Sequence, residues 1–374
     1  MTTRAAHVLD RPIAIGGLTV PTRVVMPAMT RGFSPDGVPG ADLPGYFARR
    51  AAASVGLIIT ESTYIGHPSA GQHHLVSRID GAAPQAGWAR VVRAVHEAGG
   101  RIFVQLQHVG MARTAGEPPV PEAPAIGPSG IPLTRRGKAL FGTTTAGETM
   151  TRADIDAVVD AFARAAADAE RIGFDGVELH GAHGYLIDQF LWPVTNRRTD
   201  AYGGDARSRA RFGADIIAAV KDRVTPGFPV TVRLSQWKMN DYDARIAETP
   251  DELAAVLDTL AGADAFHASA RRFWQPAFDD SALPLAGWIR KLSGKPVIGN
   301  GSAGLDGEYL ASMAGEQASV SGVDGLLDRM VAGEFDLISA GRSLLADPEW
   351  AAKVMAGRIG EVIGFTPAAL GVLH

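Results

Sequence analysis

Short apolar runs without polar alternation punctuate the chain at Arg23–Met26, Gly56–Thr60, Arg101–Leu106, Gly176–Leu179, Val230–Leu234, Ala265–His267, Pro296–Ile298 and Asp336–Ser339. A strand with one wet face alternates apolar and polar residues. These runs do not, which is how strands buried on both faces read. Between them lie stretches that predict helices: Asp42–Ala53, Gln85–Glu97, Arg152–Ile172, Arg207–Arg223, Pro250–Leu260, Ala286–Leu292, Val323–Val331 and Pro348–Met355. Arg152–Ile172 is the clearest. Thr151 is placed as its N-cap, Ile155, Val158, Val159 and Phe162 make one apolar face, and Gly173 stops it. Ahead of the first run, Ile13–Val20 predicts a small hairpin turning at Gly16 and Gly17.

Eight strands alternating with eight helices predict an α/β fold, a (β/α)₈ TIM barrel with an N-terminal β-hairpin cap. A doubly wound sheet is the rival. It needs a glycine-rich dinucleotide loop after the first strand, and Pro27–Arg31 is not one. The longest connection runs from Gln107 to Thr151, is rich in proline and glycine, and predicts a subdomain insertion after the third strand, over the barrel mouth. No linker divides the chain, so one domain over residues 1–374 is expected.

Composition narrows the chemistry. A chain of 374 residues with 46% hydrophobic and 20% charged residues fits a soluble globular protein. The net charge of −4 gives no pull toward nucleic acid or an anionic membrane. The absence of cysteine excludes disulfides, thiolate nucleophiles, iron–sulfur clusters and cysteine-ligated zinc. The N-terminus lacks an apolar core of signal-peptide length, and a cytoplasmic location is expected.

In a barrel of this kind the chemistry sits at the C-terminal strand ends. The fourth is the richest: His180, His183 and Tyr185 follow Gly176–Leu179 directly. Imidazoles hold a developing oxyanion and a phenol lends a proton. The other ends offer Pro27, Ala28, Met29 and Thr30, then Glu61 and Ser62, Gln105 and Gln107, Arg233, Gly299–Ser302, and Ala340–Arg342. Glycines after the seventh and eighth strands, with Arg342, read as a phosphate pocket or as plain tight turns. Arg233 reads as a structural ion pair or as a cation facing an anionic cofactor edge. Together the ends favour a bound flavin or nucleotide. The alternative is a metal-dependent barrel hydrolase on His180 and His183. It requires further ligands, and only Glu61 among the other strand ends is of the right type.

These residues carry a resemblance. Arg23–Arg31, Thr60–Ser62, Val104–Leu106, His180–Gly204, Val232–Ser235, Gly299–Ser302 and Ala340–Arg342 resemble the Old Yellow Enzyme family of FMN-dependent ene-reductases, the NADH:flavin oxidoreductases. The string from His180 to Gly204 is its most specific part. The resemblance implies FMN as cofactor and NADPH or NADH as hydride donor. It implies a small-molecule activated alkene as substrate, with no nucleic-acid or membrane partner, in a monomer or homo-oligomer. Pro27, Ala28 and Thr30 would line the flavin ring, with Thr30 near C4=O. Ser62 and Gln105 would meet the pyrimidine edge, and Arg233 would sit near N1 and O2. Gly301, Ser302, Gly341 and Arg342 would hold the phosphate. His180 and His183 would bind the substrate oxygen and Tyr185 would donate the proton. The implied reaction is ping-pong hydride transfer through flavin N5 to the C=C bond of α,β-unsaturated carbonyls and nitroalkenes. Gln107 and Met111 depart from residues common in the family and bear on substrate range. Phe273 and Trp274 are expected either to cap the mouth or to serve as core or interface aromatics. The chain ends soon after the eighth helix and is expected to lack the extra domains of the longer dienoyl-CoA reductase relatives.

Overall fold

The computed structural model describes residues 3–114, 116–135, 138–139, 147–239 and 241–374. Eight parallel strands close into a barrel: β1 Val24–Met26, β2 Leu57–Tyr64, β3 Arg101–Gln107, β4 Gly176–His183, β5 Val230–Lys238, β6 Ala265–Ser269, β7 Val297–Asn300 and β8 Leu337–Ser339. Neighbours pair in chain order, and β8 returns to β1 through Ser339 opposite Val25. Each expected strand is present. Several run beyond their apolar cores, β2 to Tyr64, β4 to His183 and β5 to Lys238. Most of the added residues are polar, and the barrel walls rather than their own pattern keep them extended.

The bottom of the barrel is apolar. The hairpin Ile13–Ile15 and Leu18–Val20 buries Ile15 and Val20 with Val25, Leu57, Ile59, Phe103, Ala265, Ile298 and Leu337. Gly17 ties the hairpin to Gly227, its N–H 2.8 Å from that carbonyl. Above this plug the inward residues turn polar: Ser62, Gln105, Glu178, His180, Arg233, His267 and Ser339 are all buried. The polarity gradient along one set of strands is what puts a site at the C-terminal end.

The helix Arg152–Ile172 forms with its expected bounds, with Thr151 and Asp154 in a reciprocal capping box and Gly173 left-handed at φ 106°. Strict one-to-one alternation does not hold. Short helices at Arg4–Leu9, Leu186–Leu191, Tyr309–Met313 and Arg342–Ala346 are added. At five or six residues they are too short for an apolar period to show. Among the described residues the segment after β3 carries a 3₁₀ turn at Gly110–Ala112 and the two-residue strand pairs Ile126–Gly127 with Glu148–Thr149 and Thr134–Arg135 with Lys138–Ala139. Its residues 115, 136–137 and 140–146 lie outside the described residues. Among the described helices none is long and apolar enough to cross a membrane.

Candidate active site

A cavity of about 390 Å³ opens at the C-terminal mouth of the barrel. Its wall contains every candidate residue: Pro27, Ala28, Thr30, Ser62, Gln105, His180, His183, Tyr185, Arg233, Gly301, Ser302, Gly341 and Arg342. They come from seven strand ends, so only barrel closure brings them together.

Three rings form one side. His180 lies 5.1 Å from His183 and 4.9 Å from Tyr185, centroid to centroid, with both pairs edge-on. The strand bulges here. Register slips between Gly181 and His183, and His183 takes a left-handed φ of 65°. A non-glycine residue held there costs energy and persists where its surroundings over-determine it. The surroundings do so: the His183 N–H donates to Ser235 Oγ at 3.0 Å and the Gly184 N–H to Asp188 Oδ2 at 2.6 Å. Asp188 in turn accepts from Lys238 Nζ at 2.7 Å, and both side chains of that pair are fully buried. Burial pushes Asp188 up to about 6, against the pull of the Lys238 ammonium and the Gly184 N–H.

Ser269 sets the state of His183. Its Oγ accepts from Arg233 Nη2 at 3.2 Å and from Asn300 Nδ2 at 3.3 Å, and stands 2.8 Å from His183 Nε2. With two donors aimed at its oxygen, the Ser269 hydroxyl points its proton at Nε2, leaving neutral His183 protonated on Nδ1. Burial, then the Arg233 charge, holds both His180 and His183 well below the ordinary histidine range. Burial pushes Tyr185 up to about 12, Tyr309 adds to it, and the side chains of Gln72 and Gln107 hydrogen-bond it in the opposite sense. Neutral imidazoles beside a protonated phenol are therefore the resident state at neutral pH.

Beneath the rings runs a buried polar chain. Ser62 Oγ donates to Gln105 Oε1 at 2.5 Å, Gln105 Nε2 donates to Glu178 Oε1 at 2.7 Å, and Glu178 Oε2 lies 2.7 Å from His267 Nδ1. Glu178 also offsets Arg233, which donates to Ala28 O at 3.4 Å while its buried Nε has no hydrogen-bond partner. Glu178 is thus the buried counter-charge of Arg233 and not merely part of an apolar run.

At the far end Gly301 (φ 137°) packs so closely that a Cβ would sit 2.6 Å from Ala270 O. Arg342 reaches the wall beside Ser302 but is not a free cation. It donates to Glu308 O at 2.9 Å, Ser312 Oγ at 2.6 Å, Ser302 Oγ at 3.1 Å and Gly307 O at 2.7 Å.

Other expectations need correction. No described residue of the segment after β3 lines the cavity. Among the described residues the cover comes from Leu305, Glu308 and Tyr309 after β7 and from Leu370 near the C-terminus, and the expectation for residues 136–137 and 140–146 lies outside the described residues. Residues Ala318 and Phe365 bridge these two covers. Phe273 is buried edge-on against Phe335 and Trp274, and neither Phe273 nor Trp274 lines the cavity. Glu61, which the metal alternative needs as a ligand, turns away to accept from the Arg31 N–H at 2.9 Å and Ser34 Oγ at 2.9 Å. Ser269, Trp237, Gln72 and Tyr309 are site residues that the strand-end reading missed. A buried serine closing His267–Ser269 and the tryptophan in Ser235–Lys238 were the available signals.

The sequence profile of the NADH:flavin oxidoreductase / NADH oxidase family matches residues 9–318. The chain belongs to that family. It is 32% identical over 358 residues to an NADH oxidase of Thermoanaerobacter brockii, covering 93% of this chain and 50% of that protein. It is 32% identical over 356 residues to an NADPH dehydrogenase of Geobacillus sp. (strain WCH70), covering 91% and 92%. The structure of morphinone reductase in complex with tetrahydroNAD superposes with a TM-score of 0.79 at 28% identity, over 97% of this chain and 93% of that one. The chain spans about half the length of the first curated relatives it matches, 50% and 56%.

The family's FMN fits the residues present. The unpartnered Arg233 Nε and His180 Nδ1 are buried polar atoms on the cavity wall, and each is suited to a ligand oxygen or nitrogen. The NADH:flavin oxidoreductase site also has a testable electrostatic signature. If a phenolate seats against His180 and His183 while both are neutral, its affinity across about pH 5.5 to 7.5 should follow phenol ionisation alone, without a break near the free-histidine value of about 6.5. Spectral titration of the holoprotein checks this. Strengthened binding as pH falls through that value would mean that an imidazolium holds the anion.

Proposed function

We propose that this protein is an FMN-dependent NAD(P)H oxidoreductase that reduces activated C=C bonds, those of α,β-unsaturated carbonyls and nitroalkenes. The observation that carries the reading is the convergence of His180, His183 and Tyr185 on one cavity wall above a buried arginine. The similarity to a morphinone reductase and to NADPH- and NADH-linked enzymes supports it. The domain is a single FMN-binding barrel.

Pro27, Ala28 and Thr30 line the cofactor ring, Ser62, Gln105 and Arg233 its pyrimidine edge, and Gly301, Ser302, Gly341 and Arg342 its phosphate. When bound, FMN supplies hydride chemistry, accepting from NAD(P)H and delivering to the alkene. His180 and His183, neutral, hydrogen-bond the carbonyl or nitro oxygen and stabilise the charge that develops there. Arg233 favours negative charge on the pyrimidine edge, with Glu178 limiting its own excess. Tyr185 gives its proton to the α-carbon. The polar chain from Ser62 to His267 holds Gln105 in one rotamer.

Purified protein should be yellow, release FMN rather than FAD on heating, and oxidise NAD(P)H faster when an activated alkene is added. Arg342→Ala should weaken FMN binding at least 10-fold, because it removes four hydrogen bonds that hold the loop from Ser302 to Ser312 beside the phosphate seat, and hydrogen bonds to a charged group are worth about 1.5–3 kcal/mol each. Fluorescence titration of the apoprotein measures the loss. Colourless protein that takes up no flavin from added FMN would overturn the cofactor assignment.

A further inference from the structure

A second cavity, of about 180 Å³, adjoins the first and shares Trp237, Tyr242, Ser269, Ala270 and Arg271 with it. A row of flat groups leads from one to the other. The His183 and Trp237 rings lie 4.5 Å apart at 31°, and the Trp237 and Tyr242 rings 5.6 Å apart at 31°. The Arg271 guanidinium ends the row, 5.1 Å from the Tyr242 ring centroid. Its only described side-chain partner is that ring. The other arginine of the second cavity, Arg245, is committed to Glu248 and Asp279. The single carboxylate among the described lining residues, Asp243, is exposed.

We propose that this second cavity seats the anionic end group, carboxylate or phosphate, of a molecule whose other end lies against His180 and His183, with Arg271 as its receptor. The inference rests on the ene-reductase reading and adds a substrate class to it. A guanidinium stacked on a tyrosine face keeps its N–H edge free for a planar or tetrahedral oxyanion. Trp237, anchored by its indole N–H to Ser269 O at 3.0 Å, supplies a fixed platform for the conjugated body between the two ends. A neutral enone would use the first cavity alone. A conjugated acid would span both.

Two sources share this chemistry, an acidic substrate and the phosphates of NAD(P)H, and the experiment separates them. The probes are 4-hydroxycinnamate, its methyl ester and p-cresol, titrated into holoenzyme through the long-wavelength band that a phenolate gives over oxidised flavin. Arg271→Gln should weaken 4-hydroxycinnamate by about 10-fold or more, the worth of a charge-assisted contact, and leave the ester and p-cresol unchanged. Stopped-flow titration with NADPH and NADH is the second arm. A loss confined to the nucleotides assigns the anion to their phosphates and supports the site. Equal weakening of acid and ester, or no change in any ligand, overturns it. If p-cresol gives no band with the wild-type yellow protein, the reading of the histidine pair falls, and the subsite with it.

Discussion

Tyr185→Phe should slow reduction of a cyclic enone by about 10²–10⁴-fold, the usual worth of a positioned general acid, while leaving the reductive half-reaction with NAD(P)H near its wild-type rate. The substitution keeps the ring that packs on His180 and removes only the hydroxyl. That hydroxyl is protonated throughout the working range, since burial pushes it up to about 12. Transfer of hydride from NAD(P)H requires no proton from it. Stopped-flow spectroscopy separates the two half-reactions. Nitroalkenes are the control, because hydride addition gives a nitronate that takes its proton later from water. Their hydride step should be far less sensitive than that of an enone. Equal slowing of both half-reactions would assign Tyr185 a role in shaping the mouth. Unchanged enone turnover would hand the proton to solvent.

Lys238→Met should cost about 3–5 kcal/mol of stability, the usual consequence of leaving one partner of a buried ion pair without its counter-charge. Both side chains are fully buried, and Lys238 also donates to Ser235 O at 3.1 Å. Folded Asp188 already binds its proton more tightly than an unfolded aspartate, because burial raises it to about 6. Without the ammonium the shift grows. A carboxyl whose folded pKa lies above its unfolded one favours the fold when protonated, so the variant should regain stability as pH falls through that folded value. Replacing Asp188 with Asn as well should recover much of the loss, since the amide still accepts from Gly184 N–H. Urea denaturation of the holoprotein at fixed FMN concentration measures all three proteins. A single-variant loss under about 1 kcal/mol would show that water or another group replaces Lys238. The same variant should weaken phenolate binding, because Asp188 and Ser235 are what hold the Gly184 and His183 N–H groups in the bulge.

The eight strands were legible because burial on both faces leaves a local mark: a run of apolar residues that ends where the chain leaves the barrel. The thirteen residues that line the cavity wall were legible for a related reason. They lie at or just after the ends of those runs, and a parallel barrel sends every such end to one mouth. The helix Arg152–Ile172 carried its own caps and so its own bounds.

Pairing across the barrel is a different matter. Lys238 lies past the apolar run of its strand and looks like a solvated end, until Asp188, fifty residues away in the chain, neutralises it in the interior. Glu178 sits in an apolar strand and acquires its role from His267, Gln105 and Arg233. His183 was expected to meet the substrate oxygen, but which nitrogen carries its proton depends on Ser269, which Arg233 and Asn300 polarise from two other strands. Among the described residues the cavity is covered by Tyr309 and Leu370, which no local pattern announced, because Ala318 and Phe365 pair across two segments that share no sequence pattern. Hydrophobic burial leaves its mark on a residue and its neighbours in the chain, so the amino-acid sequence by itself determined the barrel, its orientation and which residues line its mouth. The ionisation and aim of each buried polar group depend on charges brought within a few ångströms by closure, and only the tertiary structure decided those.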